Sequence, residues 1–186
     1  MKAGPQLPAL ARAHLAAKLS DQPLQSAQSL RERFPELAEP GACFITLTKQ
    51  GALRGCIGSL VAHRDLAADL IANAEAAAFR DPRFPPVNFE ELAQIRVEVS
   101  LLSAPQPLPY DSADDLLCKL EPNVHGVILS VGGSRATFLP QVWEQLPSPT
   151  EFLSHLCRKA GLAGDCWRHG PQIQLYTVEK YKEETP

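Results

Sequence analysis

The run Leu53-Arg54-Gly55-Cys56-Ile57-Gly58-Ser59 holds the residues of this chain best suited to chemistry. A thiolate is both a nucleophile and a metal ligand, and a neighbouring guanidinium favours thiolate over thiol. Gly55 and Gly58 carry no side chains, which lets a ligand or a second backbone come close. A second cluster follows in Asp81-Pro82-Arg83-Phe84-Pro85-Pro86, a carboxylate, a guanidinium and an aromatic ring on a loop its prolines keep rigid. Side by side, the two stretches would wall a cleft for a small polar or anionic ligand. Cys56 would be its nucleophile or redox thiol. Arg54 would favour the thiolate and hold the anion, and Glu98 or His125 would carry protons. Gly55, Gly58, Asp81, Arg83, Phe84 and Ser100 would contact the ligand, with Phe84 as an apolar wall. The same residues also fit a plainer account: Cys56 as a small hydrophobe, a wet sheet face, and an Asp81–Arg83 pair that only fixes its loop.

These side chains need strands and helices to place them. Residues 8–20 bring Leu10, His14, Leu15 and Leu19 round at helical spacing, and 26–37 predict a second, shorter helix. Residues 42–48 and 52–58 predict two strands of a hairpin around Lys49-Gln50-Gly51. Residues 64–79 are an alanine-rich helix with Leu66, Leu70, Ile71 and Ala74 on one face, and 95–102 is an alternating strand. The second half repeats the order. A hairpin, 125–131 and 135–139, turns at Gly132-Gly133-Ser134. A helix over 150–160 stops at Gly161, and 173–178 is a last strand. Hairpin–helix–strand thus occurs twice, in 41–103 and 125–181, within a single domain over 1–186. The expected class is α+β, one mostly antiparallel sheet taking strands from both copies, with flanking helices.

Strand parity separates the two cysteines of the first hairpin. A three-residue loop pairs Thr48 with Ala52, Phe44 with Cys56 and Thr46 with Arg54. That register puts Cys43, Ile45, Leu47, Gly55 and Ile57 on a core face, as burial demands. Cys43 is then filler, and Cys56 shares the other face with Arg54, Thr46, Glu98 and Ser100.

Composition narrows the function. The 186 residues are ample for a core without a staple, and 45% hydrophobic with 21% charged residues is ordinary for a globular protein. A net charge of −3 leaves no basic footprint, so nucleic acid is an unlikely partner, with Arg54, Arg80, Arg83 and Arg96 its only local patch. No leader and no membrane span is evident. The five cysteines are an odd, widely spaced set without a CxxC, which argues against a disulfide framework and for a reducing cytoplasm. Cys157, Cys166 and His169 match no zinc spacing, no metal site is expected, and no cofactor is indicated.

The stretches GACFITLTKQGALRGCIGSL, DPRFPPV, VEVSLLS, HGVIL, ATFLPQVW and EFLSHLCRKAGL, in that order, resemble the AMMECR family from about Leu10 to Tyr181. The resemblance implies one antiparallel sheet with two related β-rich repeats and flanking helices. It marks Arg54, Gly55, Cys56, Gly58, Asp81, Arg83, Phe84, Pro85 and Pro86 as motif positions without giving them roles. Prokaryotic members, the A proteins of the AmmeMemoRadiSam system, are often encoded with a Memo-like protein and a radical S-adenosylmethionine protein. These two are therefore the partners it implies. A non-catalytic adaptor is the alternative reading from another class.

Overall fold

The structure is a computed structural model that describes residues 2–183. In chain order it runs α1 (Leu7–Leu19), α2 (Ala27–Arg33), β1 (Ala42–Lys49), β2 (Ala52–Gly58), α3 (Leu66–Phe79), α4 (Phe89–Leu92) and β3 (Ile95–Leu102). There follow β4 (Gln106–Pro107), α5 (Ala113–Lys119), β5 (Gly126–Val131), β6 (Ser134–Phe138), α6 (Pro149–Lys159), β7 (Gln172–Tyr176) and β8 (Val178–Lys182). Two compact units result, one reaching Leu102 and resuming at Glu179, the other spanning Ser103–Val178.

In the first unit the sheet order is β2-β1-β3-β8. Leu7 and Leu15 of α1 and Leu66, Leu70, Ala74 and Ala77 of α3 bury one face of that sheet, against Cys43, Ile45, Leu47, Val97 and Val99. Small alanines let α3 lie close to the strands. Asp65 caps its start, its carboxylate accepting the Ala68 N–H at 2.9 Å. In the second unit the order is β4-β7-β5-β6. Its core gathers Leu116, Val127, Leu129, Phe152, Leu156 and Ile173. Trp143 stacks on Phe152 with centroids 3.7 Å apart, and both tryptophans are buried as core residues.

The α+β class and the antiparallel pairing stand. The single shared sheet does not, because the described residues form two four-stranded sheets. The reason lies at Thr177. The expected last strand over 173–178 ends at Tyr176, and the chain leaves the second sheet there to run as β8 along the edge of the first.

The first hairpin is also registered differently. Lys49 pairs with Ala52 across a two-residue turn whose central residues, Gln50 (φ 53°) and Gly51 (φ 81°), are both left-handed. A two-residue turn alone would carry the apolar set of β2 to the wrong face. An irregularity at Leu47/Thr48 corrects it: Thr48 pairs with Leu53 and Leu47 with Gly55, leaving Arg54 as the extra residue of a bulge. Beyond it Thr46 faces Cys56 and Ile45 faces Ile57. The parity conclusion survives the wrong register, with Cys43 fully buried and Cys56 half-buried on the opposite face.

The cysteine reading needs one further correction. Cys157 and Cys166 are joined in a disulfide, Cα atoms 6.0 Å apart. Cys157 ends the inward face of α6, and Gly161 (φ 78°) turns the chain back to bring Cys166 beside it. No spacing rule flags such a pair. No helix among the described residues is long and apolar enough to cross a membrane.

Candidate functional site

Cys56 sits on β2, an edge strand. Its backbone N–H and C=O point away from β1, and the 81–86 loop meets both. Asp81 Oδ2 accepts the Cys56 N–H at 2.9 Å, and Arg83 Nη2 donates to the Cys56 carbonyl at 3.2 Å. The carboxylate–guanidinium pair thus stands in for a neighbouring strand and closes the edge to other chains. Asp81 is buried and takes two more bonds from Arg83, Nε to Oδ1 at 2.9 Å and Nη2 to Oδ2 at 2.7 Å. Those bonds, with the Cys56 and Arg83 N–H groups, outweigh burial and hold its carboxyl well below the usual carboxylate range.

Since the backbone of Cys56 faces outward, Thr46 and Cys56 form a non-hydrogen-bonded pair, the kind whose side chains lie closest. Thr46 Oγ1 is 3.4 Å from Cys56 Sγ. Thr46 is paired on its other side with Glu98 of β3, so thiol, hydroxyl and carboxylate occupy one row of the sheet face. Glu98 is itself held by Lys182 at 2.9 Å. In the next row Phe44 lies between Gly58 and Ser100.

The bulge sends Arg54 elsewhere. Its Nε and Nη2 donate to Glu91 Oε1 and Oε2 at 2.9 Å each, and Nη2 also donates to the Pro85 carbonyl at 2.8 Å. Lys49 Nζ reaches the same Glu91 at 3.1 Å. Arg54, then Lys49, lower the Glu91 carboxyl to about 2. Arg54 is therefore engaged by α4, and the guanidinium at Cys56 is that of Arg83. The Phe84 ring lies under both, 5.8 Å from Arg54 Cζ and 5.5 Å from Arg83 Cζ.

The two glycines do not open room for a ligand. A Cβ on Gly55 would strike the Ala77 carbonyl of α3, and one on Gly58 would strike the Phe44 ring. Both make space for the protein's own packing. His125 lies in the second unit, where its Nδ1 accepts the Glu121 N–H at 3.1 Å and its carbonyl accepts Trp143 Nε1 at 2.7 Å. Both interactions hold its local turn.

The structure thus brings Cys56, Asp81, Arg83 and Phe84 together, with Arg54 behind them and Glu98 and Ser100 along the same face. Glu91 and Lys49 escaped the sequence reading, and Thr46 was placed on this face without a role. A signal for Glu91 exists: Asn88 accepts the Glu91 N–H at 2.8 Å, a helix cap that fixes where the Glu91 side chain starts. Cys43 offers the contrast, since burial, then nearby Asp69, push its thiol up and leave it inert.

Fold and site together define an α+β protein of two antiparallel sheets with a thiol set at a capped sheet edge. The AMMECR1 family profile matches residues 8–181. A protein of Methanosarcina barkeri, Mbar_A1807, is 38% identical over 179 residues, covering 95% of this chain and 88% of the relative. A Thermofilum pendens protein is 36% identical over 191 residues, 92% of this chain and 88% of its own. The crystal structure of the uncharacterized protein PH0010 from Pyrococcus horikoshii superposes with a TM-score of 0.79 at 33% identity, covering 100% of this chain and 93% of that one. The chain belongs to the AMMECR1 family, whose function is uncharacterised.

Proposed function

We propose that this chain binds a small anionic ligand where Cys56 meets the 81–86 loop, and that the Cys56 thiol reacts with it. One observation carries the reading. Arg83 keeps half its side chain exposed beside a half-buried thiol, and its Nη1 makes no hydrogen bond to the described residues. A guanidinium fixed by Asp81 on one edge and open on the other is a ready anion contact that costs little ordering on binding. Phe84 supplies the apolar wall, and Thr46 holds the thiol. The chain works in the cytoplasm, with a Memo-like and a radical S-adenosylmethionine protein as the partners that supply or consume the ligand.

The test compares two alkylating reagents of similar size, anionic iodoacetate and neutral iodoacetamide, at Cys56. Relative to free cysteine, Cys56 favours iodoacetate over iodoacetamide, and Arg83→Gln brings the ratio of the two rates back to that of free cysteine. A Cys56 with no charge preference, or one inert to both reagents in the folded protein, overturns the reading. Inertness puts the adaptor alternative in front.

A further inference from the structure

We propose that the Cys157–Cys166 bridge is a thiol–disulfide exchange site, entered at the Cys166 sulfur by a small thiol or dithiol, whose reduction makes local opening of the 161–170 segment easier. The two ends of the bridge differ in access. Cys157 is fully buried in the core of the second unit, whereas Cys166 is half-buried and lines a groove of about 610 Å³ with Ser130, Val131, Leu162, Asp165 and His169. Arg158 packs on Gly164, and Arg168 and His169 follow Cys166 in the same short turn. Asp165, next to Cys166, lies 3.8 Å from His169, so entry at this sulfur rests on its access to the groove.

The segment behind the bridge has a glycine at each end. Gly161 (φ 78°) and Gly170 (φ 69°) bracket it, both in the left-handed region where only glycine is at ease. Between them Trp167 is buried, its Nε1 donating to Ser154 Oγ of α6 at 3.2 Å, and the Leu162 N–H bonds the Cys157 carbonyl at 3.0 Å. These contacts anchor the segment without the sulfur bond. The bridge is therefore an added constraint on a segment that already has a resting place, and it spans only 9 positions of sequence. Residues 169–172 form one wall of the groove, so opening of the segment reshapes it.

The exchange balances. A reductant thiolate attacks Cys166 Sγ, the S–S bond breaks, and its electron pair leaves on Cys157 Sγ, which takes a proton. The second thiol of a dithiol then displaces Cys166 as a thiol. Two protein thiols form, and the dithiol is oxidised to its cyclic disulfide.

Dithiothreitol on the folded, unaltered chain is the first test. Aliquots are denatured in N-ethylmaleimide and weighed intact. Adducts rise from the three free cysteines to all five. Tryptic cleavage after Arg168 quickens about tenfold, with cleavage elsewhere unchanged. Glutathione disulfide offered to Cys157→Ala marks Cys166, while the same reagent leaves Cys157 of Cys166→Ala untouched. The proposal falls if the bridge resists dithiothreitol until the protein unfolds, if the adduct appears at Cys157, or if reduction leaves cleavage unchanged. Should either variant fail to fold, the time course on the unaltered chain still decides.

Discussion

The hairpins β1–β2 and β5–β6 both turn on two residues, Gln50-Gly51 in one and Gly132-Gly133 in the other, and both put their second strand at a sheet edge. They part company after the turn. In β5–β6 the register runs without a break from Val131–Ser134 to Val127–Phe138. In β1–β2 it slips at Leu47/Thr48 and expels Arg54 from the ladder. The edges differ as well. On β6 one lysine, Lys159, donates to the Thr137 carbonyl at 3.0 Å, and a lone lysine suffices to discourage pairing. On β2 a carboxylate and a guanidinium satisfy the N–H and the C=O of one residue, Cys56. The fold needs only the first kind of edge. The second is the costlier device, since it buries a charged Asp81, and it stands where the reactive side chain is.

The largest break in that comparison comes from the glycines. Gly55 is filled by the Ala77 carbonyl of α3, a backbone atom that cannot step aside without moving the helix. Gly132 meets nothing but has φ 55°. Gly55→Ala should destabilise by about 3 kcal/mol through overpacking, and Gly132→Ala by about 1 kcal/mol through its backbone angle alone. Urea denaturation measures both. Equal costs would mean that the two hairpins are not held differently against their helices.

A smaller effect separates the hairpins by pH. Glu91 binds Arg54 of the first hairpin, and its carboxyl is lowered to about 2 from an unfolded value near the ordinary one. A carboxylate with a depressed folded pKa adds stability that is fully present above its unfolded pKa, roughly 4.3. That stability drains away as pH falls from there through about 2. Glu91→Gln should therefore lower stability at neutral pH and flatten the loss between about pH 4.5 and 2. An acid limb as steep in the variant as in the parent would show that this ion pair contributes nothing to it.

Much of this was legible in the sequence because period and burial agree. The alternation of residues 95–102 gave β3 its bounds, and parity gave Cys43 and Cys56 their faces even though the register was wrong. Two slips cancelled there. A turn one residue shorter and a bulge one residue longer restore the same alternation, and a pattern of period two cannot distinguish the cases. The bulge decides which cation meets the thiol, so Arg54 read as the partner of Cys56 where Arg83 is. The motif stretches did predict that the 81–86 loop lies against β2. Glu91 stayed hidden because it belongs to a four-residue helix with no periodicity to read. The disulfide stayed hidden because it depends on a turn at Gly161, a distance in space that no cysteine spacing encodes.

Thr46 offers the finest test. In β1–β2 the outward-facing backbone of Cys56 makes Thr46–Cys56 a close, non-hydrogen-bonded pair, and the hydroxyl lies 3.4 Å from the sulfur. Either atom can be the donor, and the contact fixes where the sulfur points. Thr46→Val keeps the shape and removes the hydroxyl, so it should slow alkylation of Cys56 by iodoacetamide roughly threefold at neutral pH, about the worth of one weak hydrogen bond that holds the sulfur in place. Stability should change by less than about 1 kcal/mol, because the pair is only half-buried and valine suits a strand. Thr46→Ser should restore the rate, which a purely steric role would not predict. The equivalent change in the second hairpin, Thr137→Val, removes a hydroxyl that bonds Tyr176 at 3.0 Å and touches no sulfur. It should leave Cys56 alkylation unchanged. An unchanged rate in Thr46→Val would reduce the row of thiol, hydroxyl and carboxylate to a packing arrangement, and would leave Arg83 as the one polar side chain at Cys56 with a part in its chemistry.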